Sequence, residues 1–374
     1  MNSMDDLSLK LRARLVDELT ARGPLVSAEW QAAFREVPRE NFVEWFVVPG
    51  PENEIGDNSG HNIGDPDERL AALSAIYADT TLITQFDARG TATSSSSAPS
   101  LMAVMLEALD VTEGHTVLEI GTGTGYNAAL LSHRIGQSRV FSVDIDAALV
   151  DTARTRLGRI GYWPTLAAAD GADGLPEHAP YDRIIATCGL TRVPRTWARQ
   201  VRVGGMIVAN VGFSLVRLTV HPDGTAEGPV LAVPAAFMAM RRGAAEVALT
   251  ARDILDRTRA GGPPRTTELP QCIHDSMAWS IVSLTLPGVR RGGIPAAGYT
   301  HIYYDEDTGS WCRAKEDAGG GTVTVTEAGP VRLWDEIRTV LTRWEAAGHP
   351  PPERHRIAVN QDGRTRLVMP QAAR

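Results

Sequence analysis

The sequence predicts an α/β fold: a parallel-rich sheet covered by helices, followed by a smaller α+β unit. Three observations predict it. From Val117 onward, short apolar runs alternate with helical stretches, and strands separated by helices lie parallel with both faces covered. A glycine-rich turn, Gly121 to Gly125, joins the first of those strands to a helix, as phosphate- and nucleotide-binding turns do. After about Val220 the texture shifts to strands, a hairpin and one long amphipathic helix.

The bulk numbers limit what such a chain does. It has 374 residues and 43% hydrophobic content, enough to fill real cores. The net charge of -8 argues against nucleic acid or an anionic membrane as main partner. Cys188, Cys272 and Cys312 stand far apart, so neither a zinc motif nor a disulfide framework is read, and no metal site is expected. An odd number of cysteines suits a reducing cytoplasm. The polar start MNSMDDLSLKLR lacks the apolar core of a signal peptide. No apolar run approaches the roughly 18 residues of a membrane span.

Taken in order, Leu7 to Val37 reads as one or two amphipathic helices, with Leu9, Leu11, Leu15, Leu19, Trp30 and Phe34 recurring at helical spacing. VPRENFV follows, then a Gly/Pro/Asp-rich stretch, Pro49 to Glu68, read as an acidic loop or lid. Ala92 to Pro99 is small and hydroxyl-rich, and Leu101 to Leu109 is a buried helix. VLEI, VFSVD, YDRIIAT and GGMIVANV read as strands, and Tyr126–Ile135 and Ala147–Ile160 as helices. GPVLAVPAAFMAM is a strand and loop, and ARDILDRTRAGGPPR is a helix entering a linker. SIVSLTLPGV, HIYYDEDTGSWCRA and GTVTVTEAG read as strands and a hairpin. Trp334, Ile337, Leu341 and Trp344 share one face of a helix ending near Gly348. Arg356–Val359 and Arg366–Met369 are the final strands. The expected layout is N-terminal helices and loop over 1–90, a catalytic unit over 91–220, and an accessory, peptide-recognising unit over 221–374.

The chemistry concentrates at the glycine turn. Glycines permit a tight turn and let backbone N–H groups approach a ligand. GxGxG followed by Tyr126 differs from the GxGxxG of dinucleotide enzymes. Glu119, just before the glycines, suits an ammonium group. Asp144, at the end of the next strand, suits two ribose hydroxyls. Together they point to S-adenosylmethionine (SAM) rather than a nicotinamide cofactor. Asp170 and Gly171 follow the third strand, where an adenine is framed, though an Asp-Gly pair is also an ordinary turn.

The order of these pieces resembles the protein-L-isoaspartate O-methyltransferase family. VPRENFV, SAPSLMAVMLEAL, VLEIGTGTGYNAALL, DGADGLPEHAPYDRIIAT and VRVGGMIVANVG match its motifs in sequence over roughly residues 7–220. The resemblance implies a Rossmann-like class I SAM methyltransferase. It implies a donor site formed by Glu119, Gly121, Thr122, Gly123, Gly125, Tyr126, Asn127, Asp144, Ile145, Asp170 and Gly171. It makes Ser97 the active-site serine, with Ser94, Ser95, Ser96, Asn210 and Val211 toward the substrate. Departures are the run of four serines, Asn210 where the family has proline, the longer loop after Val47 and the residues beyond 220. That combination is similar to family members that modify ribosomally made peptides, including graspetides, lanthipeptides and lasso peptides.

The resemblance implies methyl transfer to an aspartyl or isoaspartyl carboxylate. Attack by the next amide nitrogen on the ester then expels methanol and gives a succinimide (aspartimide). Three acceptors are distinguished: an Asp in a pre-cyclised peptide, the isoaspartyl residues of damaged proteins, and a small molecule. A non-catalytic SAM- or peptide-binding protein and a dehydrogenase are the remaining alternatives. Oligomeric state is not read from the sequence.

Overall fold

The computed structural model describes residues 3–50, 60–243, 251–258, 261–294 and 299–368. Residues 51–59 of the acidic stretch and Met369 of the last expected strand lie outside them.

The N-terminal helices α1 (Ser3–Arg22) and α2 (Ala28–Glu36) pack through Leu15, Leu19, Trp30 and Phe34, all buried. Short strands β1 (Trp45–Phe46) and β2 (His61–Asn62) pair, and α3 (Arg69–Ile76) follows. The hydroxyl-rich stretch is a strand: β4 (Ala92–Ser96) pairs antiparallel with β3 (Leu82–Phe86). Helix α4 (Pro99–Leu109) starts with a proline in its first turn, where the missing N–H costs nothing.

The main sheet contains the strands expected from VLEI, VFSVD, YDRIIAT and GGMIVANV, joined by Ser214–Val220, which the sequence did not mark as a strand. Strand β5 (Val117–Ile120) leads through the glycine turn into α5 (Tyr126–Ile135), and β6 (Val140–Asp144) into α6 (Ala147–Arg159). Strand β7 (Thr165–Ala168) is followed by β8 (Tyr181–Leu190), α7 (Arg195–Gln200), β9 (Val201–Val211), β10 (Ser214–Val220) and β11 (Ala226–Pro234). Helix α8 (Ala251–Arg257), β12 (Arg265–Glu268), α9 (Ser276–Thr285) and β13 (Val289–Ile294) come next. Strands β14 (Thr300–Asp305), β15 (Trp311–Glu316) and β16 (Thr322–Ala328) lead to α10 (Leu333–Ala346), β17 (Arg356–Val359) and β18 (Thr365–Val368).

Nine strands form one sheet in the order β18-β17-β11-β10-β9-β8-β5-β6-β7. The run from β9 to β7 is parallel, and the run from β9 to β18 is antiparallel. Period-two alternation splits each strand between two cores. Val117, Ile185 and Val208 face the N-terminal helices, while Leu118, Ile184 and Ile207 face Trp197 of α7.

Two expectations are revised. The segment 280–289 was expected as a strand, but its first part belongs to α9, capped by Asp275, which accepts from the Met277 N–H at 2.8 Å. This helix is wedged between cores: Leu284 enters the one beneath the main sheet, and Ile281 and Val282 enter a third. With almost no polar face left, its run imitates a buried strand. The boundary at 220/221 falls between β10 and β11, hydrogen-bonded neighbours in one sheet. Strands β17 and β18 return to that sheet, so among the described residues β12–β16 with α9 and α10 make a separate five-stranded antiparallel layer.

Candidate active site

Strand order reverses around β5, which has β6 on one side and β8 on the other. In open α/β sheets a crevice forms beyond the carboxyl ends at such a point. Here it is a cavity of about 780 Å³, walled by the glycine turn, β4, the ends of β6 and β8, and the segment after β11.

At its floor lies Glu119, fully buried. Asn127 Nδ2 donates to one carboxylate oxygen at 2.7 Å, and Ser142 Oγ to the other at 2.6 Å. Burial pushes its pKa up to about 7, against these two hydrogen bonds. Asn127 Oδ1 and the Ser94 hydroxyl are buried without a partner, and both residues line the cavity. Buried polar atoms are normally satisfied. An occupant carrying hydrogen-bond donors fits this end.

Asp144 stands at the end of β6, where Gly123 N–H donates to one oxygen at 2.8 Å and Asp146 N–H to the other at 3.1 Å. Burial raises its pKa despite these bonds. The turn itself is wound by Gly121 and Thr122, whose N–H groups both reach Val143 O, at 2.8 and 3.1 Å. A Cβ on Gly121, at φ +97°, would come within 2.8 Å of Thr187 Oγ1. Thr122, Gly123, Tyr126, Asn127, Ile145 and Gly171 also line the cavity.

Other expected residues are used differently. Gly125, at φ +90°, makes room for α6, since a Cβ there would lie 3.0 Å from Ala153 Cβ. Asp170 turns its carboxylate onto its own loop, accepting from Ala172 N–H at 2.8 Å, and only its neighbour Gly171 reaches the cavity wall. Asn210 and Val211, expected at the substrate, are buried at 0% and 1% exposure. Asn210 Nδ2 donates to Ala235 O at 2.8 Å and Ser214 O at 3.1 Å, and Oδ1 accepts from Phe237 N–H at 3.3 Å. It clamps the segment leaving β11 and lines a neighbouring cavity of about 420 Å³ that shares Ala236 and Phe237 with the main one, while Val211 lines neither.

All four serines from Ser94 to Ser97 line the cavity. Arg39, of the VPRENFV motif, fixes their end. Its guanidinium is fully buried and donates to Ser96 O at 3.1 Å, Ser97 O at 3.0 Å, Thr80 O at 3.1 Å, Ile76 O at 2.7 Å and Ser96 Oγ at 3.2 Å. Burial pulls its pKa down to about 10, which leaves it charged at neutral pH. Neither Ser97 nor Ser100 caps α4, whose N-cap is Ala98.

The sequence reading missed Arg39 as an individual residue, along with Thr187, Cys188 and the wall Phe237 to Arg241. Thr187 Oγ1 donates to Gly121 O at 2.8 Å. The Cys188 thiol is pushed up to about 12 by burial and stays protonated. The wall segment is stitched to β8 by Gly189 N–H to Met238 O and Met240 N–H to Gly189 O, each 2.8 Å. Its run of small and apolar residues carried no signal of a cavity wall.

A family model for protein-L-isoaspartate(D-aspartate) O-methyltransferase matches residues 69–226. The protein-L-isoaspartate O-methyltransferase of Methanococcoides burtonii is 42% identical over 149 residues, 39% of this chain and 70% of that protein. That of Pyrobaculum arsenaticum is 33% identical over 212 residues, 54% of this chain and 86% of that one. This chain belongs to the protein-L-isoaspartate O-methyltransferase family. It is a SAM-dependent carboxyl O-methyltransferase by that membership. Other curated relatives are matched over a smaller share, 53% to 60% of their length. A solved structure described as a protein-L-isoaspartate O-methyltransferase superposes over 96% of this chain and 99% of its own, at 25% identity and a TM-score of 0.55. Among the described residues no helix is long and apolar enough to cross a membrane.

Proposed function

We propose that this chain methylates the side-chain carboxylate of isoaspartyl or aspartyl residues in polypeptides. The observation that carries the reading is the seat of Ser97. Its carbonyl is held by Arg39 at 3.0 Å, and it lines the same cavity as Glu119 and Asp144.

In this reading Glu119 and Asn127 take the ammonium end of SAM, Asp144 takes the ribose hydroxyls, and Gly171 flanks the adenine. The donor, when bound, supplies an electrophilic methyl group on a sulfonium. The chain's own task is placement. An aspartyl carboxylate has a reference pKa of about 3.9 and is already ionised at neutral pH, so no general base is needed. Ser97 donates its hydroxyl hydrogen to one carboxylate oxygen and leaves the other aimed at the methyl. β4 and Phe237 to Arg241 wall the cavity around this seat and hold the reactants in place. The ester product is open to attack by the following backbone nitrogen, which expels methanol and leaves a succinimide.

The test is a linear isoaspartyl peptide incubated with enzyme and SAM, with mass spectrometry for one added methyl. Ser97→Ala should lower the rate on the order of a hundredfold while calorimetry shows SAM still bound. Full activity in that variant, or no ester on any aspartyl or isoaspartyl peptide, sinks the reading.

A narrower acceptor, one Asp in a pre-cyclised ribosomal peptide, draws on the run of four serines, all at the cavity wall. The residues beyond 220 do not favour it over repair of damaged proteins, because the solved methyltransferase matches almost the whole chain. A higher kcat/KM on a macrocyclic Asp peptide than on a linear isoaspartyl one would select the narrower acceptor. The reverse would select repair. The three cysteines, none in a disulfide, accord with work in a reducing cytoplasm.

A further inference from the structure

The five-stranded layer carries a cluster that methyl transfer does not use. His274 lies in the turn before α9, beside the cap residue Asp275. His301 is the second residue of β14, and Glu316 the last of β15. In the β14–β15 register His301 pairs with Ala314, so Glu316 is its diagonal neighbour on the same face. That face carries Tyr303, Cys312 and Ala314 into the third core.

Among the described residues, His274, His301 and Glu316 each offer one ligand atom, all within 4.8 Å of one another. Both Nε2 atoms converge on one carboxylate oxygen, His274 at 2.8 Å and His301 at 2.7 Å. The ring of Tyr299 walls the cluster, its centroid 4.8 Å from that of His301 and 5.8 Å from that of His274.

We infer that His274, His301 and Glu316 bind a divalent transition-metal ion, zinc by its chemistry, which ties the turn before α9 to β14 and β15. Two imidazole nitrogens and one carboxylate oxygen suit zinc, with water completing a tetrahedron. On binding, the His301 ring hydrogen moves from Nε2, where the Glu316 carboxylate holds it, to Nδ1, which has no hydrogen-bond partner in this structure, and Nε2 faces the ion. Bond lengths of about 2.0–2.2 Å put tetrahedral donors roughly 3.3 Å apart. The Glu316 oxygen must therefore back off from both rings by roughly 0.5 Å, and the ligand nitrogens of the two rings, within 4.8 Å of one another, must close toward that spacing. His301 is fully buried, but Glu316 and His274 side chains are 20% and 57% exposed and have that freedom.

One carboxylate and two imidazoles supply too few oxygen ligands for calcium or magnesium, which require several. The three residues come from three separate elements, so no short motif marks them.

The test uses the full chain stripped of metal by chelation and titrated calorimetrically with zinc chloride. One equivalent should bind per chain and raise the unfolding temperature. Cobalt(II) should give visible d–d absorption without a thiolate charge-transfer band. His274→Ala removes an exposed side chain, so that variant folds, keeps metal-free methyl transfer and loses zinc affinity at least about tenfold. Glu316→Gln should lose affinity likewise, and magnesium chloride should do nothing. Unchanged zinc affinity in both variants overturns the site. So does a thiolate band, which would put the ion on a cysteine.

Discussion

At the residue scale, Glu119 and Arg39 decide how the cavity behaves. Glu119 holds its proton more tightly in the folded chain, at about 7 against an ordinary 4.5. Its contribution to stability is complete below 4.5 and drains away as pH climbs to about 7. Thermal unfolding of the ligand-free protein across that window should show this loss, and Glu119→Gln should abolish it. Donor binding should show the opposite trend. A cationic ligand favours the carboxylate, so SAM affinity should rise with pH through about 7 in the parent and stay flat and weaker in the variant. Arg39 presents a different demand. Lysine has three donors and no planar fork, so Arg39→Lys leaves buried carbonyls without partners. Urea denaturation should show a loss of roughly 2–4 kcal/mol. A parent-like midpoint would mean that water or a shifted backbone satisfies those carbonyls. The sequence made Glu119 and Asp144 legible because acids at strand ends beside glycines have few other uses. Arg39 was not legible as an individual, because its six partners are five backbone carbonyls and one serine hydroxyl, and backbone partners leave no trace in residue types.

At the element scale, the glycine turn is as much a packing device as a ligand loop. Gly125→Ala puts a methyl 3.0 Å from Ala153 Cβ at φ +90°. The strain should cost about 1–3 kcal/mol and push α6 outward. Because Asp146 caps α6, accepting from Ala148 and Leu149 N–H groups, Asp144 two residues earlier should move with it. Calorimetry should therefore find weaker SAM binding as well as a lower melting point. A loss of stability with unchanged affinity would confine Gly125 to packing. The parallel strands were legible because their apolar runs are short and bounded by helices. Helix α9 was not, because Ile281, Val282, Ser283 and Leu284 are all buried, and a helix covered all round has no polar stripe to reveal its period.

At the scale of the whole molecule, the C-terminal part is woven in rather than appended. Strand β17 pairs with β11. Ser283 Oγ accepts from Phe213 N–H at 2.9 Å, and Ser280 Oγ donates to Phe213 O at 3.1 Å. A chain cut after Pro234 keeps every residue of the family motifs but exposes the β11 edge and strips Leu284, Ile357 and Val359 from the second core. Open edges template aggregation, so this fragment should be insoluble or oligomeric by size-exclusion chromatography. A monomer that unfolds cooperatively would show instead that the unit ending at β11 stands alone. Sequence texture placed a boundary near 220 because composition does change there, but strand pairing across that point is a long-range property with no local signature. The pairing of β11 with β17 also imposes an order of events during synthesis. The parallel half of the sheet has all its strands once β9 has left the ribosome. The β11 edge must wait, unpaired, while the whole five-stranded layer is made. That interval is when the nascent chain is most exposed to mispairing, so slower translation between β11 and β17 should lower the yield of native protein more than the same delay before β5.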